Sequence, residues 1–310
     1  AGFIGGTNSE SCDIININLS GKIDIPASVA QKTQVGSFVG KANALGNMIN
    51  CHSDVEINIM GAPAYVGGVL AFMKNANIKN CSYSGNITIA TSGKVTNGIG
   101  GILGCTNSST TGIEAVINGC YFDGSIKNNG SGIPKYVAGI NSYSNLSKAA
   151  ETITNNYVIG TIDCTATDQG TVYGKTNTTN FDCENNYYYA DYTLTGKGGI
   201  PMKIEEFHSG EVAYLLNGDQ MEFLFGQELD SDDNMPVVYR GSNRVYKTIF
   251  MYNNNEYAVL YNNTEMKFPK NPVPDDSPTF EGWYDEKGNR YDGNSTTQTD
   301  LTLYAKIVAT

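Results

Sequence analysis

"VGGVLAFMKN", residues 66–75, is answered 33 residues later by "IGGILGCTN", residues 99–107. Two adjacent glycines inside an apolar run suit neither a helix nor a strand interior, because glycine contributes no packing and loses the most backbone entropy on ordering. The same phrase appears as "AGFIGGTN" (1–8), "VGSFVGKAN" (35–43), "VAGINSYSN" (137–145) and "GTVYGKTN" (170–177). Aligned on Asn8, Asn43, Lys74, Asn107, Asn145 and Asn177, the six copies are 35, 31, 33, 38 and 32 residues apart. That is a repeat array. The glycines are expected at corners, where neighbouring coils approach closely or the backbone needs a positive φ.

A second phrase alternates with the first: "INLSGKIDI" from Ile17, "CHSDVEINI" from Cys51, "CSYSGNITI" from Cys81, "CYFDGSIKN" from Cys120, "NYVIGTIDC" from Asn156 and a degenerate "NYYYADYTL" from Asn186. Every second residue is apolar or small, as in Cys81, Tyr83, Gly85 and Ile87, which is the period of a strand with one buried face. A unit this short cannot bury that face alone, so neighbours must stack. The reading is mainly β: a parallel β-solenoid (β-helix) of about six coils over residues 1–192, with rungs about 4.8 Å apart. "GIGGILG" at 98–104 has the look of a dinucleotide loop, but its sister copies lack a following helix, so it reads as one more corner.

Composition agrees. Charged residues make up 16% of the 310, against 35 glycines, which suits strands and turns. A net charge of −11 argues against nucleic acid or an anionic membrane as partner, and no apolar run approaches the roughly 20 residues of a membrane helix. The seven cysteines form no CxxC pair and several recur at one repeat position, which points to small buried hydrophobes rather than zinc or a disulfide framework. No cofactor is expected, and the chain is expected to be a monomer. It opens inside a motif without a secretory signal, so an upstream portion carrying signal and anchor is expected.

The alternation of "VGGxxGxxN" with "IxNCxxxGxI" resembles the GLUG-type repeats of secreted and surface-anchored bacterial proteins over about residues 1–190; the copies at 137–145 and 170–177 depart from it at Ala138 and Gly170–Thr171. After the repeat, "PMKIEEFHSGEVAYLLNGDQ" reads as a short helical piece opened by Pro201 and closed by Gly218, with Phe207, Val212, Leu215 and Leu216 as its apolar face. With the strands "FLFGQ" and "MPVVY", this 193–245 segment is expected to cap the stack. Residues 246–310, ending in "GWYDEKGNRYD" and "LTLYAKI", resemble the Listeria-Bacteroides surface repeat, an internalin-type B repeat, which implies a small β-grasp-like domain. Together the resemblances imply a non-catalytic adhesin or scaffold on a bacterial cell surface, displaying or forming a binding surface for a glycan or host protein. The alternative is a carbohydrate-active β-helix enzyme, or an accessory region of a larger surface hydrolase or protease.

Candidate chemistry is sparse. His52 and His208 are the two histidines, and "HSGE" around His208 places its groups too close in sequence for a nucleophile and base. Asp230, Asp232 and Asn234 have the spacing of a calcium-loop start, but Met235 and Gly241 occupy the positions where an EF-hand needs glycine and glutamate. Outward acids at Asp54, Glu56, Asp123 and Asp163 form no repeated cluster. One outward column runs Asn18, His52, Ser82, Tyr121, Tyr157, Tyr187, with Tyr189 two residues on. It is either a ladder that stabilises the coils or a ligand-binding strip. Trp283 is expected as the core anchor of the C-terminal module.

Overall fold

Each turn of the repeat bends five times, and five short strands stack in parallel on those of the turns before and after. The computed structural model describes residues 2–7, 11–30, 32–44, 46–93, 96–191, 196–218, 223–229, 235–273 and 279–308. Sheet 1 is built from Ile4–Thr7, Val39–Ala42, Leu70–Met73, Thr106–Ser108, Asn141–Leu146 and Tyr173–Thr176. Sheet 2 follows with Ile14–Ile15, Asn47–Ile49, Asn77–Lys79, Glu114–Asn118, Ala150–Thr154 and Asn180–Glu184. Sheet 3 holds Asn18–Leu19, His52–Ser53, Ser82–Tyr83, Tyr121–Phe122, Tyr157–Val158, Tyr187–Tyr189 and Ile200–Met202. Sheet 4 holds Lys22–Ile25, Glu56–Ile59, Asn86–Ile89, Ser125–Asn128 and Thr161–Asp163; sheet 5 holds Gln34–Gly36, Tyr65–Gly67, Gly98–Gly100, Tyr136–Ala138 and Asp168–Gly170. The six glycine phrases therefore frame about five turns rather than six, because the last phrase opens a turn that has no strand in sheets 4 and 5.

The interior is a set of aliphatic columns in strict register. Val35, Val66, Ile99 and Val137 stack in sheet 5; Met48, Ile78, Ile117 and Ile153 in sheet 2; Ile57, Ile87, Ile126 and Ile162 in sheet 4. Nearly all are fully buried, each contributing about 1.5–3 kcal/mol of transfer free energy.

The paired glycines do mark corners of close approach, as expected, and the positive φ falls at another corner. Gly67 and Gly100, between sheets 5 and 1, do not take a positive φ; they are small because an added Cβ would overlap the carbonyl oxygens of Leu70 and Leu103. Gly68 and Gly101 meet the rings of Tyr83 and Phe122 in the same way. The left-handed conformation falls instead on asparagine, between sheets 2 and 3: Asn16, Asn50, Asn80, Asn155 and Asn185 have φ of 58°, 53°, 52°, 57° and 50°. Asparagine tolerates that region, and its amide bonds up and down the stack, Asn155 Nδ2 donating to Asn118 Oδ1 at 2.8 Å and Asn185 Nδ2 to Asn155 Oδ1 at 2.6 Å.

Just inside that corner lies the recurring cysteine position. Cys51, Cys81 and Cys120 are buried free thiols that donate to the carbonyls of Ile14, Met48 and Ile78. In the next turns Asn156 and Asn186 replace them, and their Nδ2 atoms donate to the carbonyls of Ile117 and Ile153 at 3.1 and 2.7 Å. The column is thus a row of small donors as well as small apolar groups.

The chain divides into two units, Ala1–Met202 and Lys203–Thr310. Pro201 does not open a helix; it lies in Ile200–Met202, which pairs with Tyr187–Tyr189 and covers the last edge of sheet 3, where its missing N–H is no loss. In the second unit the expected helix is two, α1 (Ile204–His208) and α2 (Glu211–Asn217), broken at Gly210 with φ 93° and ended at Gly218. Phe225–Gly226 and Val237–Val238 form a two-stranded antiparallel pair. The rest is a five-stranded mixed sheet whose spatial order is Asn255–Asn262, Tyr246–Tyr252, Leu301–Val308, Thr279–Tyr284 and Arg290–Tyr291. Its first hairpin turns on Asn253 and Asn254, both at positive φ. Trp283 is 3% exposed and packs edge-on against Phe250 and Phe280, as expected of a core anchor.

Candidate functional site

The tyrosine column folds in the register read from sequence: Asn18, His52, Ser82, Tyr121, Tyr157 and Tyr187 are successive neighbours in sheet 3, and Ile200 extends the column. Tyr121 and Tyr157 stack with centroids 4.9 Å apart and planes 1° from parallel. Tyr157 is only 1% exposed and Tyr187 5%, and burial raises the Tyr157 phenol well above its usual range. Tyr187 Oη donates to Asn185 Oδ1, and the part-exposed Tyr189 donates to Asp191 Oδ2 at 2.7 Å. His52 Nδ1 lies 2.7 Å from Ser82 Oγ in the same column. The two central rings have their faces covered, so the column acts first as a ladder between coils.

A second aromatic band, not picked out in the sequence, lies where sheet 5 turns into sheet 1. Residues seven apart occupy equivalent positions on either side of each glycine corner: Gln34 and Lys41, Tyr65 and Phe72, Tyr136 and Tyr143, Asp168 and Lys175, with the buried pair Gly98 and Cys105 between the two aromatic pairs. Tyr136 and Tyr143 stack at 4.4 Å; Tyr65 and Phe72 are 6.0 Å apart; Lys175 Nζ is 3.8 Å from Asp168 Oδ2. Lys197 joins that last pair at 3.6 Å, and Lys41 sits 5.6 Å above the Phe72 ring. The four aromatic side chains are half-buried, and Asn177 Nδ2 donates to Tyr143 Oη at 3.0 Å. Burial raises the Tyr65 phenol, helped by neighbouring Cys105. The sequence signal was the spacing across the corner, tyrosine one residue before "VGG" or "VAG" and an aromatic seven residues on.

The remaining candidates scatter. Glu56 lies in register beside Lys22, and Asp163 beside Lys127; Asp54 and Asp123 are exposed. Ser209 Oγ donates to the Glu206 carbonyl and accepts from the Glu211 N–H, so it serves the helix junction, and His208 is exposed at the end of α1. Asp230, Asp232 and Asn234 lie outside the described residues. Among the described residues no group of three or more His, Cys, Asp or Glu side chains is placed to hold a metal ion, and no helix is long and apolar enough to cross a membrane.

One carboxylate has an environment of its own. Glu151, in sheet 2, points inward and is fully buried, with Oε1 accepting from Thr106 Oγ1 at 2.6 Å and Asn141 Nδ2 at 2.8 Å. Burial pushes its carboxyl up to about 7, against the pull of hydrogen bonds from Ser144, Thr106 and Asn141. No family model, curated protein or solved structure matches the chain.

Proposed function

We propose that this chain is a non-catalytic scaffold of a bacterial cell surface that displays or forms a binding surface for a glycan or host protein. The observation that carries the reading is the row of facing outward pairs along the glycine corner: a rigid stack repeats part-exposed aromatic and polar groups at coil spacing, where binding costs little side-chain entropy. The separation of the outward carboxylates and their lysine neighbours speak for binding over hydrolysis, since glycoside cleavage uses two carboxylates converging on one bond. The resemblance to GLUG-type and Listeria-Bacteroides repeats supports the surface location and a β-grasp-like reading of the C-terminal sheet.

The test is to pass the whole chain over an array of plant, mucin and matrix glycans and host-matrix proteins, following both retention and polymer length. Retention without shortening is the expected result. Shortened polysaccharide would overturn the non-catalytic reading, and no retention on any surface would overturn the binding reading.

A further inference from the structure

The solenoid's charge is divided by face. The strands of sheets 5 and 1 and the residues within two of them carry Lys32, Lys41, Lys74, Lys135, Lys148 and Lys175, with Lys197 ion-paired to Asp168, and among the described residues the single carboxylate there is Asp168. Elsewhere on the same unit, the described residues present ten exposed carboxylates against three lysines, Lys22, Lys79 and Lys127. The solenoid unit thus gathers most of its described lysines along the edge that also carries the aromatic pairs.

Register gives this edge a direction. Lys41 stacks on Phe72, and Lys175 on Tyr143, so a cation lies beyond the aromatic pairs at both ends of the row. Lys74 is exposed two residues beyond Phe72 on the same strand face, and Lys135 is exposed next to Tyr136. Lysines therefore recur along the stack axis beside half-buried aromatic rings. An extended polyanion lying along the axis would meet a cation at most turns and an aromatic pair between them.

We infer that the glycine-corner edge of the solenoid binds an anionic polysaccharide, a chain of uronic or sulfated sugars lying parallel to the stack axis. The inference rests on the binding-surface reading above and names its ligand class and place. Charge complementarity selects the anion: ten exposed carboxylates on the other faces repel it and leave this edge. Ring geometry speaks against nucleic acid, because Tyr136 and Tyr143 already cover each other's faces at 4.4 Å, so those two faces are closed to a base.

The experiment is a calorimetric titration of the whole chain with polygalacturonate, with dextran as the uncharged control and oligo(dT) as the nucleic-acid control. It is run on the unaltered protein, on Lys74→Glu with Lys135→Glu, and on Lys22→Glu with Lys127→Glu as a matched pair on sheet 4. Thermal midpoints of all three proteins are expected to agree, since these lysines are exposed. Polygalacturonate should bind, weaken with added salt, lose about tenfold in affinity in the corner pair and change less than about twofold in the control pair. Absence of polygalacturonate binding, binding that ignores the corner reversal, or tighter binding of oligo(dT) each overturns the inference. If dextran binds equally to all three proteins while polygalacturonate does not, the scaffold reading survives and only this ligand assignment fails.

Discussion

Around one turn, the chain bends between sheets 2 and 3 on an asparagine and between sheets 5 and 1 on a glycine pair, and the two bends fail for different reasons. At the asparagine corner the backbone is left-handed, and each side chain can bond to its neighbours above and below. At the glycine corner the backbone is ordinary and the constraint is space: another carbonyl already occupies the place of a Cβ. One corner is conformational and somewhat forgiving; the other is steric and is not. The forgiving corner can decorate itself with a ladder, whereas the tight one sets residues seven apart on either side of the bend.

The largest effect should come from Gly100→Ala, whose Cβ would overlap the Leu103 carbonyl and crowd that of Ile140. Backbone on two strands would have to move, so a loss of about 3 kcal/mol or more is expected in urea melts. Gly5→Ala is the control, with nothing near the added atom, and should change stability by less than about 0.5 kcal/mol. Similar midpoints for the two variants would remove the steric account of the glycine corner.

Next is Asn156, where the donor column changes from thiol to amide. Its Oδ1 accepts from the Cys120 N–H at 2.8 Å, and its Nδ2 donates to the Ile117 carbonyl and to Asn186 Oδ1. Alanine would leave those buried groups unpaired, at a cost of about 2–3 kcal/mol. Asn156→Cys should recover part of the loss, because Cys51, Cys81 and Cys120 make the carbonyl bond from the same position one to three turns earlier. A cysteine variant as unstable as the alanine one would show that the column depends on the amide alone.

These contrasts also mark how far the sequence could be read. Register was legible because each turn repeats its apolar columns: Tyr121, Tyr157 and Tyr187 fell into line where the spacing put them. Their burial was not legible, since what covers a side chain comes from residues far away in sequence. The facing pairs escaped notice because residues seven apart meet only when the corner between them is sharp. Nor does the glycine phrase reveal its own reason, since close approach and positive φ both select glycine. Pro201 looked like a helix start for want of knowing that an edge strand, which spares its N–H, was available. Glu151 lies outside both repeated phrases, so the repeat gave no reason to single it out.

Glu151 sharpens the comparison at the interior, because the groups that hold it, Thr106 and Asn141, lie in sheet 1 just past the glycine corner. Its carboxyl titrates near 7 in the fold and at the ordinary carboxylate value when unfolded. The folded pKa is raised, so the stability it contributes is fully present below about pH 4.5 and is lost as pH rises through 7. The neutral amide of a Glu151→Gln variant keeps an acceptor for Thr106 and Asn141 at every pH. The variant should therefore be more stable than the unaltered protein by on the order of 2 kcal/mol at pH 8, with the gap closing towards pH 4.5. Parallel stability curves across that range would mean that Glu151 does not titrate in this window.

The smallest effect belongs to the corner that tolerates its own geometry. Asn155 sits at φ 57°, donates to Asn118 Oδ1 and accepts from Asn185 Nδ2. Asn155→Ala forces a residue with a Cβ into the left-handed region and cuts the ladder, for about 1–2 kcal/mol. Asn155→Gly cuts the same two bonds but fits the backbone, so the difference between the variants isolates the conformational share. In the turn after Asn80 the protein has made this substitution itself: Gly119 holds the same corner at φ 68° between Asn80 and Asn155. Asn155→Gly should therefore cost less than about 1 kcal/mol, and the reciprocal Gly119→Asn should be close to neutral. If Asn155→Gly proves as damaging as Asn155→Ala, the asparagine corner is held by its ladder of amides and not by its backbone, and the contrast with the glycine corner becomes one of bonding against space.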